Sequence, residues 1–371
     1  MDANLKSVID GFDFSGTLAS CVEIVTGHIN RTYRLTFSGG GAKREYLLQR
    51  INTFAFKKPE EVMENVTLVT EHLRRAIAAR GANAENRVLR VIPTREGRPL
   101  LYDAQGGAWR AYNFIAHAHS VDSVESPRQF EIVGRAFGDF QGMLSDFPIQ
   151  CLHDTIPHFH DTPRRLENFE ASVSADAVGR VGSAREEIAF VRARREAMGE
   201  IVRMIESGAL PLRVTHNDTK CNNVMVDDAT GEALCVVDLD TVMAGASLYD
   251  FGDAIRFGAS TAAEDERNLA KVRLDMDLFA AFSEGFISRT AANLTRTELE
   301  NLVLGALVMT FEVGLRFLTD YLDGDVYFRT EYPDHNLVRA RCQFRLLSDM
   351  EAHREAMEAV VRRLTRQYAG H

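Results

Sequence analysis

The chain has 371 residues, with 43 basic and 53 acidic side chains and a formal net charge of −10 at pH 7. Apolar residues make up 45% and charged residues 26%, which is the balance of a globular protein and excludes a disordered or low-complexity chain. Nucleic acids and anionic membranes attract basic surfaces, so neither is expected as a partner of this acidic chain. The length fits about two domains of roughly 150 residues each.

The N-terminus has no basic segment followed by an apolar one, so no signal peptide is predicted. The most apolar segment, Leu302–Phe311, spans ten residues, too few to cross a bilayer, and predicts a buried helix. Five scattered cysteines without a Cys-x-x-Cys pair fit a reducing cytoplasm. They argue against a disulfide framework and against a structural zinc site.

In chain order, the first part of the sequence is predicted to be mostly β-strand. Short β-rich runs occupy Val22–Thr26, Thr32–Phe37 and Tyr46–Ile51, and a glycine-rich turn follows Phe37. Apolar residues at three- and four-residue spacing predict a helix through Val62–Ile77. Further strands are predicted at Val88–Pro93, Leu100–Asp103 and Trp109–Ile115.

From Pro127 onward the apolar spacing is mainly helical. Helices are predicted at Phe130–Leu144 and Ile188–Ile205, and almost continuously from Arg267 to Tyr368. Three short β segments interrupt them, at Val214–His216, Asn223–Val226 and Ala233–Asp238. This order predicts an α+β fold with two lobes that divide near residues 112–120.

The segment from His216 to Asn223 carries the sharpest chemical signal. Asp218 follows one β-rich run, Asn223 stands five residues later at the start of the next, and Asp238 ends a third. The last two runs are predicted to pair through the turn at 227–232, which would bring Asn223 and Asp238 to one edge. Phosphoryl transfer requires such residues, because a carboxylate accepts the proton of the attacking hydroxyl while oxygen ligands hold Mg²⁺.

The spacing His-x-Asp-x-x-x-x-Asn, followed by another Asp, is that of the protein-kinase catalytic loop. Together with 236–240 and Tyr249-Asp-Phe-Gly-Asp253, the run His216–Val224 resembles the aminoglycoside phosphotransferase/choline kinase family of small-molecule kinases. Within that family, five segments resemble the bacterial N-acetylhexosamine 1-kinases most closely. They are 27–33, 48–52, 216–223, 237–241 and 316–327.

The resemblance implies a bilobal, protein-kinase-like α+β fold. A small β-rich N-terminal lobe would cover 1–115, and a larger, mainly helical C-terminal lobe would cover 116–371. The implied activity is the ATP- and Mg²⁺-dependent phosphorylation of the anomeric hydroxyl of an N-acetylhexosamine, which gives the sugar 1-phosphate. ATP and a small sugar would then be the partners, in the cytoplasm.

The same resemblance implies a role for each matching residue. Asp218 would be the general base, with Lys220 close to the γ-phosphate, and Arg316 and Tyr327 would contact the sugar. Magnesium would be held by Asn223 and Asp238, with Asp240 as a further ligand. The nucleotide would contact the loop residues Gly27, His28, Asn30 and Thr32, and the backbone of Phe114 and Ile115 between the lobes.

Several of these residues have a second interpretation. The loop at 27–32 has one glycine and, read alone, is as well explained as a turn between strands. Arg316 could pair with Glu312 one helical turn earlier. Asp250 could cap a helix, although we expect it to brace the catalytic loop.

The predicted third strand lacks the lysine that protein kinases place against the α- and β-phosphates. Arg50 is the nearest cation, and its guanidinium could grip phosphate in a bidentate fork. If Arg50 instead faces solvent, strand alternation makes Gln49 the inward residue. The acidic partner on the next helix would be Glu64 or Glu71, and we favour Glu64.

Two other functions remain open from the sequence. One is a kinase of the same fold that acts on choline, an amino alcohol or an aminoglycoside. The other is a non-catalytic nucleotide-binding module, which only the missing lysine favours.

Overall fold

The structure is a computed structural model that describes residues 2–25 and 30–369. The chain divides into two compact units. We call Met1–Ser120, Asp146–Pro157 and Val224–Ala244 the sheet unit, and Val121–Ser145, His158–Asn223 and Gly245–His371 the helical unit. A β-rich N-terminal region and a helical C-terminal region confirm the predicted α+β class. The sheet unit also includes two segments that follow the predicted division near residue 115.

The strands are β1 Thr17–Ile24, β2 Arg31–Gly39, β3 Ala42–Arg50, β4 Val91–Ile92, β5 Leu101–Tyr102, β6 Ala108–Asn113, β7 Ala118–Ser120, β8 Arg213–Thr215, β9 Val224–Asp227, β10 Ala233–Val236 and β11 Met243–Gly245. The helices are α1 Ala3–Asp10, α2 Pro59–Ala79, α3 Pro127–Met143, α4 Thr162–Ala175, α5 Arg185–Met198, α6 Glu200–Glu206, α7 Ser247–Gly258, α8 Met276–Thr290, α9 Arg296–Glu300, α10 Leu302–Asp323, α11 His335–Ala352 and α12 Arg354–Tyr368.

The sheet unit is built on an antiparallel sheet in the order β1-β2-β3-β6-β4, with β5 also paired to β6. Strands β2 and β3 join through Gly40 and Gly41, which both have positive φ. Two consecutive residues with positive φ match the twist of a tight hairpin, which explains the predicted glycine-rich turn.

The two faces of this sheet carry different residues. Tyr33, Leu48 and Ala111 belong to one face and are buried in a core that includes residues of α1. Thr32 pairs with Gln49, and Gln49 pairs with Arg110, so these three residues form a row across β2, β3 and β6. Because side chains alternate along a strand, this polar row lies on the face opposite the core.

A second, smaller sheet of the sheet unit has the order β10-β9-β7. The predicted hairpin is confirmed, since β9 and β10 pair antiparallel from Val224 opposite Val236. Asp227 stabilises its turn by accepting hydrogen bonds from the backbone N–H groups of Ala229 (3.0 Å) and Thr230 (2.8 Å).

The helical unit is organised around α10, which packs against α4, α7 and α11. The prediction of a buried helix at Leu302–Phe311 is confirmed, although the helix continues to Asp323. Among the helices in the described ranges, only α10 is long and apolar enough to cross a membrane. Most of its residues are buried within the unit, as in the core helix of a folded domain.

Helices α7 and α10 approach most closely at Gly252 and Gly305. A Cβ at Gly252 would lie 2.2 Å from the carbonyl oxygen of Gly305, so no side chain fits there. The glycine of the Tyr249–Asp253 motif therefore serves helix packing, and it fixes α7 beside the core helix.

Candidate functional site

The catalytic-loop residues of the helical unit lie close together, as the sequence predicts. Asp218 is half-buried, and its Oδ1 lies 2.9 Å from Lys220 Nζ. The side-chain amide of Asn223 donates to the backbone carbonyl of Asp218 (2.8 Å) and to its Oδ2 (3.3 Å). This orientation leaves the Asn223 carbonyl oxygen as the atom available for a metal ion.

Asp218 carries a negative charge at neutral pH. Burial raises the pKa of Asp218, but the opposite charge of Lys220, with His216 and Arg256 further off, lowers it below its ordinary value. The carboxylate is therefore ionised at neutral pH. In turn, the charge of Asp218 raises the pKa of Lys220 and keeps the ammonium group protonated.

Asp250 on α7 holds the catalytic loop from beneath. Its buried carboxylate accepts the backbone N–H groups of His216 (2.9 Å) and Asn217 (2.7 Å) and the side-chain amide of Gln141 (2.7 Å). Asn217 has φ 63°, a left-handed conformation that such hydrogen bonds stabilise. The expected bracing role of Asp250 is confirmed.

Asp253, one turn further along α7, secures the next part of the loop. It accepts the backbone N–H of Thr219 (3.0 Å) and pairs with Arg256 (2.9 Å). Arg256 also pairs with Glu264 at 2.8 Å, so the buried guanidinium is compensated by two carboxylates.

Arg316 and Tyr327 also lie together in the helical unit. The guanidinium carbon of Arg316 is 5.9 Å from the ring centre of Tyr327, 5.5 Å from that of Phe159 and 5.4 Å from that of Phe328. These distances are typical of cation–π contacts. No carboxylate is found paired with Arg316 among residues 2–25 and 30–369, so its alternative pairing with Glu312 is wrong.

Glu312 is instead the buried centre of a separate polar cluster. It accepts from His160 Nδ1 (2.8 Å) and Thr162 Oγ1 (2.6 Å) and lies 3.3 Å from Arg165 Nε. Burial raises the pKa of Glu312, but His160 and Arg165 outweigh burial and lower it to about 2. Burial and the neighbouring charge of Arg316 lower the pKa of Arg165, which still remains a cation.

The loop that carries Tyr327 is held by Asp320 near the end of α10. This buried carboxylate accepts the backbone N–H groups of Val326 (2.9 Å), Tyr327 (2.7 Å) and Phe328 (3.0 Å). It also accepts the side-chain amide of Asn336 at 2.8 Å. Four donors on one carboxylate fix the backbone of the loop and therefore the position from which Tyr327 projects.

In the sheet unit, Asp238 and Asp240 follow β10 but have different environments. Asp238 is exposed and has φ 59°, a left-handed conformation. Asp240 is 3% exposed and forms a bidentate ion pair with Arg110. Asn30, at the end of the predicted phosphate loop, donates to Asp240 Oδ2 at 2.8 Å. The structure thus links Asn30 to Asp240 through a direct hydrogen bond.

The polar row on the sheet continues this network. Arg110 Nε donates to Gln49 Oε1 (3.0 Å), and Gln49 Nε2 donates to Thr32 Oγ1 (3.1 Å). Arg50 is exposed and pairs in register with Trp109, which belongs to the core. Paired residues share a face of the sheet, so Arg50 lies on the Trp109 face and not on the face of the polar row. Gln49 is therefore the inward residue of β3, the outcome expected if Arg50 faces solvent.

Glu64 does not pair with Arg50. Its carboxylate lies 2.5 Å from His153 Nε2, and no ion pair between Arg50 and Glu64 or Glu71 is found in the described part of the chain. The favoured Arg50–Glu64 pair is therefore wrong. The Glu64–His153 contact instead ties α2 to the segment 146–157 within the sheet unit.

The remaining predicted nucleotide contacts are only partly described. Gly27 and His28 lie outside the described residues. Phe114 donates its backbone N–H to Glu45 (3.1 Å), and its ring lies 4.4 Å from the Arg34 guanidinium carbon, so that N–H is already used. Ile115 is buried. Its predicted contact with adenine stays a prediction.

No three His, Cys, Asp or Glu side chains lie close enough to hold a metal ion, within the part of the chain that the structure describes. A magnesium site of one amide and one carboxylate, completed by phosphate oxygens and water, requires no such cluster. In the helical unit, Asn223 has an amide oxygen of this kind, and in the sheet unit Asp238 has an exposed carboxylate. Asp240 differs from them because both of its carboxylate oxygens already accept hydrogen bonds.

Sequence reasoning missed Arg110, Arg165 and the role of Glu312. Arg110 did carry a signal, since a charged residue within the apolar run Ala108-Trp-Arg-Ala-Tyr112 requires a buried counter-charge. Arg165 carried no comparable signal, because it belongs to the unpredicted helix α4.

Comparison with known proteins adds a family model and several solved structures. The model of the phosphotransferase enzyme family (APH) matches residues 20–282. The structure of a microcompartment-associated aminopropanol kinase has 17% sequence identity and a TM-score of 0.60, and the match covers 95% of this chain and 98% of that one.

Two further structures are similar to the chain at comparable levels. Choline kinase from Cryptosporidium parvum Iowa II has 13% identity and a TM-score of 0.55, with 95% and 97% of the two chains covered. Spectinomycin phosphotransferase APH(9)-Ia, in complex with ADP and spectinomycin, has 14% identity and a TM-score of 0.53, with the same coverage. At these identities the likeness establishes the fold.

Proposed function

This chain belongs to the phosphotransferase enzyme family, and from that premise we propose that it is an ATP- and Mg²⁺-dependent kinase of N-acetylhexosamines. The acceptor would be N-acetylglucosamine or N-acetylgalactosamine, phosphorylated on the anomeric hydroxyl. Family membership supports phosphoryl transfer, and the resemblance of five sequence segments supports the sugar.

Asp218 would act as the general base. Its ionised carboxylate accepts the proton of the anomeric hydroxyl, whose oxygen forms a bond to the γ-phosphorus. The bond between that phosphorus and the β–γ bridging oxygen breaks, and ADP leaves with the electron pair. Lys220 would release Asp218 when nucleotide binds and turn its ammonium group to the transferred phosphoryl group.

Asn223 and Asp238 would hold Mg²⁺. Both offer oxygen ligands, which a hard cation prefers, and the amide of Asn223 is oriented by Asp218 so that its oxygen is available. When bound, Mg²⁺ neutralises the charge of the β- and γ-phosphates.

The charge balance around Arg316 carries the proposal of a neutral acceptor. Arg316 and Arg165 supply two positive charges, and the buried carboxylate of Glu312 faces Arg165. Asp320, one helical turn after Arg316, is also a buried carboxylate, but its oxygens accept the backbone N–H groups of the Tyr327 loop and the side-chain amide of Asn336. An ammonium group about 6 Å from an uncompensated guanidinium would be repelled by about 3 kcal/mol at an effective dielectric constant of ~20. A sugar is not repelled, and its hydroxyls and acetamide oxygen accept hydrogen bonds from arginine while its ring stacks on aromatic side chains.

A second candidate function is the phosphorylation of an amino alcohol, choline or an aminoglycoside. It is favoured by the structures with similar folds, which include an aminopropanol kinase, a choline kinase and a spectinomycin phosphotransferase. Such acceptors are cationic at neutral pH and would require acidic or aromatic partners, of which the cluster at Arg316 offers only the aromatic ones.

A panel of acceptors with ATP and Mg²⁺, scored by ADP release, separates the two functions. We expect release with N-acetylglucosamine and N-acetylgalactosamine, and none above background with choline, 1-amino-2-propanol or kanamycin. The 1-O-methyl glycoside of N-acetylglucosamine should be refused, because its anomeric oxygen has no proton. Release with a cationic acceptor alone would overturn the sugar assignment.

Replacing Arg316 by Gln tests the residue behind this argument. We expect kcat/KM for the sugar to fall about tenfold, as for the loss of one charged hydrogen bond. The matched control is Arg363→Gln, an exposed arginine on α12, which should leave kcat/KM unchanged. Equal effects of the two substitutions would remove the sugar-binding role from Arg316.

A further inference from the structure

We infer that Asp240 is a positioning residue and not a metal ligand. Its buried carboxylate, neutralised by Arg110, joins the end of the phosphate loop to the segment that presents Asp238. The inference rests on the proposed function, because it assigns a role in binding nucleotide and Mg²⁺. It also replaces our prediction that Asp240 helps to bind the metal.

Both oxygens of the Asp240 carboxylate already accept hydrogen bonds. Arg110 approaches both carboxylate oxygens in a bidentate pair, with Nη2 at 2.9 Å from Oδ2, and Asn30 donates to the same Oδ2 at 2.8 Å. A metal ion would have to compete with Arg110 for this carboxylate, which is the hydrogen-bonded counter-charge of a guanidinium that is 1% exposed. An uncompensated charge is strongly destabilising in a protein interior.

The network extends from Asp240 in two directions. Toward the phosphate loop, Asn30 also accepts the backbone N–H of Asn52 at 2.9 Å, which fixes the Asn30 amide between two partners. Toward the sheet, Arg110 donates to Gln49, which donates to Thr32 in the same predicted loop. The last residues of that loop, Asn30 and Thr32, are thus both tied to the Arg110–Asp240 pair.

The backbone around Asp240 is held independently. The hydroxyl of Thr155 donates to the Asp240 carbonyl at 3.0 Å, and the amide of Asn65 donates to the Val242 carbonyl at 2.9 Å. Asp238, two residues earlier, is exposed and has a left-handed backbone conformation. It therefore belongs to a turn whose following residues are held by hydrogen bonds. Anchoring a nearby buried residue is how an exposed ligand keeps a defined position.

Three variants test this inference by a double-mutant cycle: Arg110→Gln, Asp240→Asn and the combination of both. Calorimetry gives the dissociation constant of ADP with Mg²⁺ and with EDTA, and urea unfolding gives the midpoint of each variant. We expect each single variant to weaken binding of MgADP at least tenfold and to lower the urea midpoint. The double variant should bind no more weakly than the weaker single variant and should have a midpoint above both, because neither charge is then left alone.

Asp238→Asn is the matched control. It should abolish the tightening of ADP binding by Mg²⁺ while it lowers the urea midpoint less than Asp240→Asn does, since Asp238 is exposed and Asp240 is buried. If Asp240→Asn behaved in the same way, and Arg110→Gln kept the full effect of Mg²⁺, Asp240 would be a metal ligand and the inference would fail. The inference would also be overturned if the double variant weakened MgADP binding by the product of the two single-variant factors.

Arg110→Lys covers the case in which Arg110→Gln does not fold. Lysine keeps the charge and loses the fork, so we expect Mg²⁺ to tighten ADP binding within about threefold of its effect on the wild type. Loss of that effect in the lysine variant would contradict the inference. A wild-type protein that bound neither ADP nor MgADP would instead refute the proposed function, and the urea midpoints would still decide whether the pair acts as one unit.

Discussion

In the predicted site of each unit, an accessible aspartate lies near a buried one, but the two units arrange these residues differently. In the helical unit, half-buried Asp218 is on a loop and buried Asp250 is on α7, where it accepts the backbone N–H groups of the two loop residues before Asp218. In the sheet unit, exposed Asp238 and buried Asp240 are two residues apart, and the buried one pairs with an arginine. The difference shows that a buried carboxylate can secure a functional segment through its backbone or through a charged side chain.

The largest effect on activity should come from replacing Asp218, the accessible aspartate of the helical unit. Asp218→Asn removes the proton acceptor, and we expect kcat to fall by about 10³-fold, within the range for a general base. The free energy of unfolding should change little, because asparagine has the same shape as aspartate and its oxygen can still accept the hydrogen bond from the Asn223 amide. ADP release and urea unfolding measure both quantities. The control is Asp228→Asn, at an exposed aspartate paired with His119, and equal activities of the two variants would disprove the assignment of the base.

Replacing the buried Asp250 should mainly lower the stability of the fold. Asp250→Ala leaves the N–H groups of His216 and Asn217 without an acceptor, and we expect the free energy of unfolding to fall by about 3 kcal/mol. Urea unfolding measures this change. A loss below about 1 kcal/mol would mean that the loop does not depend on Asp250, and the comparison between the units would break.

A pH dependence should identify the other buried carboxylate of the helical unit. The pKa of Glu312 is lowered from 4.5 to about 2, so the native state is stabilised above pH 4.5 and loses that stability as the pH falls toward 2. Between pH 5 and pH 3 the wild type should lose about 2 kcal/mol more than Glu312→Gln, which has no proton to bind. Urea unfolding of both proteins at the two values tests this, and parallel losses would contradict the buried ion cluster.

The last prediction concerns the packing of α7, the helix that carries Asp250, against α10. Gly252→Ala places a methyl group against the Gly305 carbonyl, and we expect a loss of about 2 kcal/mol in the free energy of unfolding. Gly142→Ala is the control, because its new methyl group would have only contacts of 3.4 Å or longer on α3, and alanine favours a helix. Thermal unfolding of both variants measures the contrast. A neutral Gly252→Ala would show that α7 can move away from α10.

The comparison also explains which features the sequence predicted. Periodicity placed α2 and α3 to within a few residues, and turn residues located the hairpins β2–β3 and β9–β10. The spacing of Asp218 and Asn223 predicted the catalytic loop, because those residues are close along the chain. Helix α4 was missed, because its apolar stripe is short: Leu166 and Phe169 are its buried apolar residues, and charged residues surround them in the sequence.

The long-range partners could not be predicted. Asp238 and Asp240 are the same residue type in the same short segment, and only the fold places Arg110, 130 positions away from Asp240, against one of them. Likewise, Glu64 and Arg50 had suitable charges and spacing, but the β3 register turns Arg50 to the other face and His153 takes the carboxylate. Ion pairs between distant segments depend on topology, which residue spacing does not specify.

The central claim is that the chain transfers the γ-phosphoryl group of ATP to the anomeric oxygen of an N-acetylhexosamine. Phosphorus NMR of a reaction with N-acetylglucosamine, ATP and Mg²⁺ tests it directly, with Asp218→Asn as the blank. We expect ADP and one new phosphomonoester signal, split by coupling to the anomeric proton. A phosphomonoester coupled to the protons of carbon 6, or no sugar phosphate while choline or kanamycin is phosphorylated under the same conditions, would contradict the claim.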